Sequence, residues 1–362
     1  MKISAHQQYF VTHLLDWNKL ENTRQMPWKG ERDPYRIWLS EIILQQTRVE
    51  QGLGYFQRFI TQFPTIADLA KAPEMSIFKL WEGLGYYTRC KNLIATARFI
   101  HEELNGKFPQ TYTGILALKG VGPYTAAAIA SFAYNLPYAV VDGNVFRVLS
   151  RYYAIATPID TTAGKQLFTE LANQLVDTNF PGIYNQAIMD FGATVCKPQV
   201  PLCVTCVLKE QCKAFQKGKI MDLPVKEKSI VRRTRWFYYL VFESDQFVQT
   251  RKRGRGDIWE NLYEFVLYES AEPLDDDGLY TQVKTVLGNE QFKILAVSAG
   301  YKQTLTHQTI KGQFVRIQTP APVHIDGYVS VPGNTLQALP FPKFISNYLK
   351  DKNVSLNLFN TE

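Results

Sequence analysis

The stretch that most restricts this chain is Leu118 to Asp142, LKGVGPYTAAAIASFAYNLPYAVVD. Gly120 and Gly122 bracket Val121, and Pro123 follows where a first helical residue would stand, so one helix must end and another begin within a few residues. A helix start leaves backbone N–H groups without partners at the positive end of the helix dipole, and such a turn binds phosphate with no particular side chain. The small residues Thr125 to Ala130 predict close helix packing. An apolar run, Tyr138 to Val141, then stops at Asp142-Gly143-Asn144, which delivers one carboxylate beside a phosphate-binding turn. Taken singly, a Gly-x-Gly is a common helix cap and Asp142 is a good N-cap for Val145 to Val148. Their combination is the informative feature.

Upstream, Asp33-Pro34 reads as an N-cap and first-turn proline, opening a helix over PYRIWLSEIILQQTRV. At helical spacing Tyr35, Trp38, Leu39, Ile42 and Val49 share a core face. Ile37, Glu41, Leu44, Gln45 and Arg48 share the other, a partly apolar groove wall holding the helix's only acid. A solvated Glu41 paired with Gln45 or Arg48 is the ordinary alternative. In LWEGLGYYTR, Gly83 and Gly85 loosen the chain before two tyrosines, an arrangement that either packs into a core or presents a ring to stacked bases.

Four of the five cysteines fall within Cys196 to Cys212, as Cys196, Cys203, Cys206 and Cys212. Such crowding makes an odd disulfide framework but a plausible metal site in a reducing compartment. Zinc sites show two short paired knuckles, whereas one compact four-thiolate loop suits an iron–sulfur cluster better. Lys197, Lys209 and Lys213 interleave these ligands, and a net charge of +7 favours a polyanionic partner, nucleic acid ahead of a membrane surface. No run approaches the ~20 apolar residues of a membrane span, and Met1 to Trp17 lacks a signal peptide's apolar run, so a cytoplasmic protein is expected. Cys90, apart from the others, reads as a buried thiol.

The chain is long for a single core, and its character changes at residues 216–235, which are rich in Lys and Arg and broken by Gly218 and Pro224. They read as a basic linker between residues 1–215, helical, and residues 236–362, α+β. WFYYLVFESDQFVQTRKRG predicts two strands with a turn at Ser244 to Gln246.

LKGVGPYTA followed by VVDGNV resembles the helix-hairpin-helix and catalytic aspartate of base-excision DNA glycosylases in the endonuclease III superfamily, and WLSEIILQQTRV resembles the catalytic-glutamate helix of the adenine DNA glycosylases (the MutY family). The cysteine spacing matches the [4Fe-4S] loop of the same group. The resemblance implies an all-α glycosylase domain with a structural [4Fe-4S] cluster, and an enzyme that flips out and hydrolyses adenine mispaired with 8-oxoguanine or guanine in double-stranded DNA, acting as a monomer. It implies Glu41 as the acid, Asp142 as the anion that stabilises or traps the sugar cation, and Tyr124 and Asn144 as polar support. It makes Gln45, Gln46, Thr47, Tyr86, Gly120 and Gly122 duplex contacts, and sets Arg24 and Trp28 near the target pocket. Bifunctional relatives carry a nucleophilic lysine two residues after the second hairpin glycine. Tyr124 stands there, and a phenol forms no Schiff base. RGRGDIWENLYEF resembles Nudix hydrolases, but the acidic Glu269 to Asp277 lacks their metal-binding pattern, which implies a Nudix-like domain that reads a damaged nucleotide without hydrolysing it. Leu305-Thr306-His307 stands where the family carries a Phe-Ser-His probing loop. A thymine mismatch glycosylase would not need this second domain, and a non-catalytic damage sensor would not need both carboxylates.

Overall fold

The computed structural model describes residues 4–227, 231–244, 246–288 and 290–351. Residues 228–230 of the expected linker, Asp245 of the expected turn and Met1 to Ile3 of the N-terminal stretch lie outside them. The chain divides into two compact units, one of residues 1–71 and 92–229, the other of residues 72–91 and 230–362. No helix among the described residues is long and apolar enough to cross a membrane.

The first half carries helices α1 (Ala5–Leu20), α2 (Pro34–Leu44), α3 (Val49–Gln62), α4 (Ile66–Lys71), α5 (Glu74–Trp81), α6 (Tyr87–Glu103), α7 (Tyr112–Leu116), α8 (Pro123–Tyr134), α9 (Gly143–Tyr153), α10 (Thr162–Leu175), α11 (Pro181–Thr194) and the short α12 (Lys213–Gln216). The core of the first unit joins Phe10 and Leu14 of α1 to Val145 and Leu149 of α9, Phe168 of α10 and Ile188 and Phe191 of α11. The small residues of α8 serve the packing expected of them, since Thr125 to Ser131 are all buried.

Helix α2 starts as read: Asp33 accepts from Tyr35 N at 2.9 Å and Pro34 is the first helical residue. It stops five residues earlier than its pattern suggests. Gln46 adopts a left-handed backbone (φ 57°), Thr47 N bonds Leu44 O, and Arg48 becomes the N-cap position of α3. Gln45, Gln46 and Thr47 therefore sit in a turn and not on a helix face. The second face of α2 does form a wall: Ile37 (3% exposed) and Glu41 (7%) are buried along the side of a cavity.

Between α7 and α8 the chain makes the expected tight turn, with Gly120 at φ +77°. A Cβ there would come within 2.7 Å of Asn92 Cβ, so both conformation and space demand glycine. Gly122 is different: it is the N-cap of α8 with an ordinary φ of −94°, and a Cβ would meet nothing within 4 Å. Packing does not require that glycine. Asp142 is the N-cap of α9, and its Oδ1 accepts from Asn144 N and Val145 N, both at 2.8 Å.

In the second unit, strands β1 (Arg233–Ser244), β2 (Phe247–Lys252), β3 (Tyr263–Glu264), β4 (Val266–Ser270), β5 (Lys293–Val297), β6 (Tyr301–Thr304), β7 (Gln308–Gln318) and β8 (Val329–Pro332) build one mixed sheet. Strands β1 and β7 run parallel at its centre, Arg233 opposite Gln308 and Glu243 opposite Gln318, and every other pairing is antiparallel. Leu240, Phe242, Val315 and Ile317 pack under Leu279 and Val283 of helix α13 (Asp276–Leu287). The end of the acidic run proves to be capping chemistry, with Asp275 as N-cap and Asp276 and Asp277 in the first turn. Residues 72–91 belong to this unit through Lys79 Nζ to Leu339 O (2.9 Å), Lys91 Nζ to Glu260 Oε1 (2.7 Å), and Ser346 of helix α14 (Lys343–Lys350) bonded to Glu82.

Candidate active site

Three segments of the first unit converge: the middle of α2, the first turn of α8 and the start of α9. Glu41 is buried, and the Tyr124 hydroxyl donates to its carboxylate. Burial pushes the Glu41 carboxyl up to about 7. The Tyr124 hydrogen bond opposes that shift, and the nearby Asp142 charge adds to it. The Tyr124 hydroxyl lies 3.6 Å from Met189 Sδ. Its acidity is pushed far below a free phenol's, first by burial and then by the two carboxylates, so it stays a protonated donor. Tyr124, expected as polar support, is a donor to Glu41 with the Asp142 charge also close by.

Asp142 is harder to ionise than a free carboxyl. Helix dipole and amides were expected to hold it ionised, yet burial outweighs them and raises its carboxyl above the usual value. The opposition comes from Val145 N, the Asn144 side chain and amide, and the Arg147 charge. All three of its hydrogen bonds are accepted, the third from Asn144 Nδ2 to Oδ2 at 2.7 Å, an environment made for a carboxylate.

A cavity of about 230 Å³ opens beside Glu41, lined by Trp28, Lys29, Ile37, Glu41, Phe132 and Gln186 among others. Trp28 is on this wall, its ring edge-on to Phe56 at 5.4 Å. Arg24 is not: its guanidinium is tied to Asp190 Oδ1 at 2.8 Å. Asp190, fully buried on α11, also takes Lys29 Nζ (3.2 Å), Asn22 Nδ2 (2.9 Å) and Gln186 Nε2 (2.9 Å). It anchors the loop of residues 22–32 that walls the cavity. Sequence reasoning missed Asp190, although a lone acid inside YNQAIMDFG was its signal. Gln45 Nε2 contacts Thr125 Oγ1 at 3.3 Å, which leaves Gln45 beside the start of α8.

The four clustered cysteines are free thiols that line one small, apolar-walled cavity with Val148, Arg151 and Tyr152. Among the described residues no three of the His, Cys, Asp or Glu side chains converge as they would on a single ion. Arg151 is 2% exposed, and its guanidinium contacts carbonyls of Leu223, Lys197 and Pro198 at 2.7–3.0 Å and Cys196 Sγ at 3.5 Å. None of its partners among the described residues is a carboxylate. A buried cation surrounded by neutral groups fits four thiols that become thiolates on binding metal. Arg147, also missed in the sequence, ties this region to the carboxylates: Nη2 bonds Asn144 Oδ1 (2.8 Å) and Nε bonds Cys196 O (2.7 Å).

In the second unit Tyr86 is 46% exposed with a left-handed backbone (φ 51°), its ring 5.2 Å from the Arg89 guanidinium. Its hydroxyl lies 2.8 Å from Thr306 Oγ1, so two residues predicted to touch DNA from opposite halves of the sequence are hydrogen-bonded. Leu305, Thr306 and His307 form the turn between β6 and β7, with His307 exposed.

Comparison with known proteins converges on one group. Residues 39–174 match the HhH-GPD superfamily of base excision DNA repair proteins. An adenine DNA glycosylase of Buchnera aphidicola subsp. Baizongia pistaciae is 33% identical over 303 residues, covering 83% of this chain and 84% of its own. The adenine DNA glycosylase of Homo sapiens is 45% identical over 218 residues, covering 58% of this chain and 40% of its own. A thermostable thymine-DNA glycosylase superposes with a TM-score of 0.55 at 30% identity, over 59% of this chain and 97% of its own.

Proposed function

This chain belongs to the adenine DNA glycosylases, base excision repair enzymes of the HhH-GPD superfamily, and from that premise we propose that it removes adenine paired with 8-oxoguanine or guanine in duplex DNA by a monofunctional, acid-assisted hydrolysis. The observation that carries the mechanism is the juxtaposition of Glu41, buried on a cavity wall and poised near neutrality, with Asp142, whose three hydrogen bonds are all accepted. Adenine leaves the stack at a cost of a few kcal/mol, offset by phosphate contacts at the Gly120–Gly122 turn and by Tyr86, Gln46 and Thr47 against the opened duplex. Its base enters the cavity beside Trp28. Glu41 gives its proton to ring position 7, the bond from sugar to base breaks with its electron pair leaving on adenine, and a water adds to the sugar cation and restores the proton. Asp142 supplies negative charge to that cation, as a fixed anion or as a transient covalent partner. Tyr124 holds Glu41, and Asn144 holds Asp142. With a phenol at position 124 there is no amine to cleave the strand. A single-turnover assay on an A:8-oxoguanine duplex tests this reading; rapid adenine release with an intact abasic strand is expected, and prompt nicking with a trappable imine would contradict it.

Cys196, Cys203, Cys206 and Cys212 would hold a [4Fe-4S] cluster, which when bound cross-links the loop and orders Lys197, Lys209 and Lys213 toward phosphates. The gathering of all four thiols about one cavity, with the buried guanidinium of Arg151 against Cys196 Sγ, supports that assignment. Purified protein is expected to be yellow-brown with about four irons per chain. Stoichiometric zinc without visible absorption, from cells supplied with iron, would refute it.

The second unit is read as a Nudix-like domain that discriminates the base opposite adenine, through Leu305, Thr306 and His307. Supporting it are the mixed sheet behind WENLYEF, the use of Asp275 to Asp277 to start a helix and of Glu269 to hold Arg235, and the Thr306 hydroxyl bonded to that of Tyr86. The two opposing bases differ mainly by an oxygen at position 8 and a proton at position 7, so one to three hydrogen bonds, each worth about 1–3 kcal/mol when lost, must tell them apart. Ending the chain near Trp236 is therefore expected to keep some A:G excision and to erode the preference for A:8-oxoguanine. The ratio of single-turnover rates on the two duplexes measures this, and an unchanged ratio would move lesion reading to the first unit.

A further inference from the structure

The Leu305–His307 turn has no proline to stiffen it, yet its backbone is fixed from below. Leu305 N bonds Gln308 O at 2.8 Å, and Arg233 N bonds His307 O at 3.2 Å. Arg232 Nε reaches Leu305 O at 3.3 Å. Beneath the turn Gln308 is 9% exposed, and its Oε1 accepts from Arg235 Nη1 at 3.2 Å. Arg235 itself is 9% exposed and spends all five of its N–H donors. Nε and Nη2 hold the two oxygens of Glu269 at 2.6 Å each; Nη1 and Nη2 hold those of Asp257 at 2.7 and 2.8 Å; the remaining Nη1 hydrogen serves Gln308. Arg253 Nη2 braces Asp257 from the far side at 2.8 Å. A guanidinium fixed by two bidentate carboxylates is a rigid donor, unlike a flexible ammonium.

We propose that Arg235, acting through Gln308, is the positioning residue of the Leu305–Thr306–His307 turn, holding it ready for the base opposite adenine. This rests on the reading of that turn given above. Arg235 touches no DNA in this scheme; it is the fixed point from which Gln308 sets the height and register of the Thr306 hydroxyl. The arrangement links the end of the basic linker to lesion discrimination.

The test uses full-length protein and the ratio of single-turnover excision rates on A:8-oxoguanine and A:G duplexes. Gln308→Met keeps the side chain's length and removes the acceptor. It is expected to lower the ratio about tenfold, with the A:G rate within about twofold and the iron content unchanged. Arg235→Lys, which keeps the charge but loses the fork, is expected to lower it too, and it decides the matter should Gln308→Met fold poorly. In a Thr306→Ala, His307→Ala background Gln308→Met is expected to add nothing, because it acts through the same turn. If the double alanine variant lowers the ratio while Gln308→Met and Arg235→Lys leave it alone, or if the effects simply add, the positioning role is overturned and the reading of the turn survives. If the double alanine variant leaves the ratio unchanged, that reading falls and this inference falls with it.

Discussion

Glu41→Gln is expected to bind an A:8-oxoguanine duplex as the parent does and to release adenine on the order of 100- to 10,000-fold more slowly, the usual worth of a general acid. The amide keeps the shape of the side chain and can still accept from Tyr124, so the cavity wall survives while the transferable proton is lost. The parent's rate should also carry the signature of this acid. With its carboxyl pushed up to about 7, Glu41 keeps a large protonated fraction at neutrality and is mostly protonated below it, and excision should fall about tenfold per unit as the pH climbs well above that value. Stability should move with it. Folded Glu41 keeps its proton to about pH 7, whereas the unfolded carboxyl releases it near the ordinary 4.5, so raising the pH between these values destabilises the fold. Glu41→Gln has no such ionisation and is expected to melt higher than the parent at pH 8. Activity within about threefold of the parent, or a pH profile flat from 6 to 9, would remove Glu41 from the acid's role.

How much of this could be read beforehand depended on whether the cause was local. Asp33-Pro34 and Gly120-Val121-Gly122-Pro123 place helix starts because capping oxygen, proline ring and positive φ act within a few bonds, and both starts are where they were expected. The early end of α2 was not legible, since Gln46 takes a left-handed backbone without being glycine or asparagine, held by the fold around it. The second face of α2 was legible as a groove wall from its partly apolar pattern, but the residues that close the cavity over it, Phe132 and Phe180 to Gln186 among them, were not. The grouping of residues 72–91 with the sheet rests on Lys79, Glu82 and Lys91, whose partners lie about 170 to 260 residues away. Arg24 was set near the target pocket by analogy, but its partner Asp190, 166 residues downstream, which also holds the cavity-lining Lys29 and Gln186, could not be foreseen. For Asp142 the helix-start amides and Asn144 were legible, but the Arg147 charge and the desolvation that exceeds all of them come from the fold around it.

Asp142→Asn is the second substitution expected to abolish most turnover, and its interpretation depends on the cap. Asparagine is as good an N-cap as aspartate, so an amide at position 142 can still accept from Asn144 N and Val145 N and keep α9 started. The other half of the amide meets a conflict. Its NH2 would face Asn144 Nδ2, itself a donor, and Asn144 cannot turn over without losing the bond its Oδ1 accepts from Arg147. A loss of about 1 kcal/mol of stability is expected from that mismatch. The rate should fall much further, on the order of 100- to 1,000-fold, because the variant supplies neither fixed charge nor nucleophile to the sugar cation. The comparison that isolates the two effects is single-turnover excision at saturating protein beside the melting temperature of the same preparation. A small shift in melting with a large loss of rate and undiminished duplex binding is the expected pattern. A rate that falls only about fivefold, in line with the melting shift alone, would make Asp142 a helix cap and assign the stabilisation of the cation to another group.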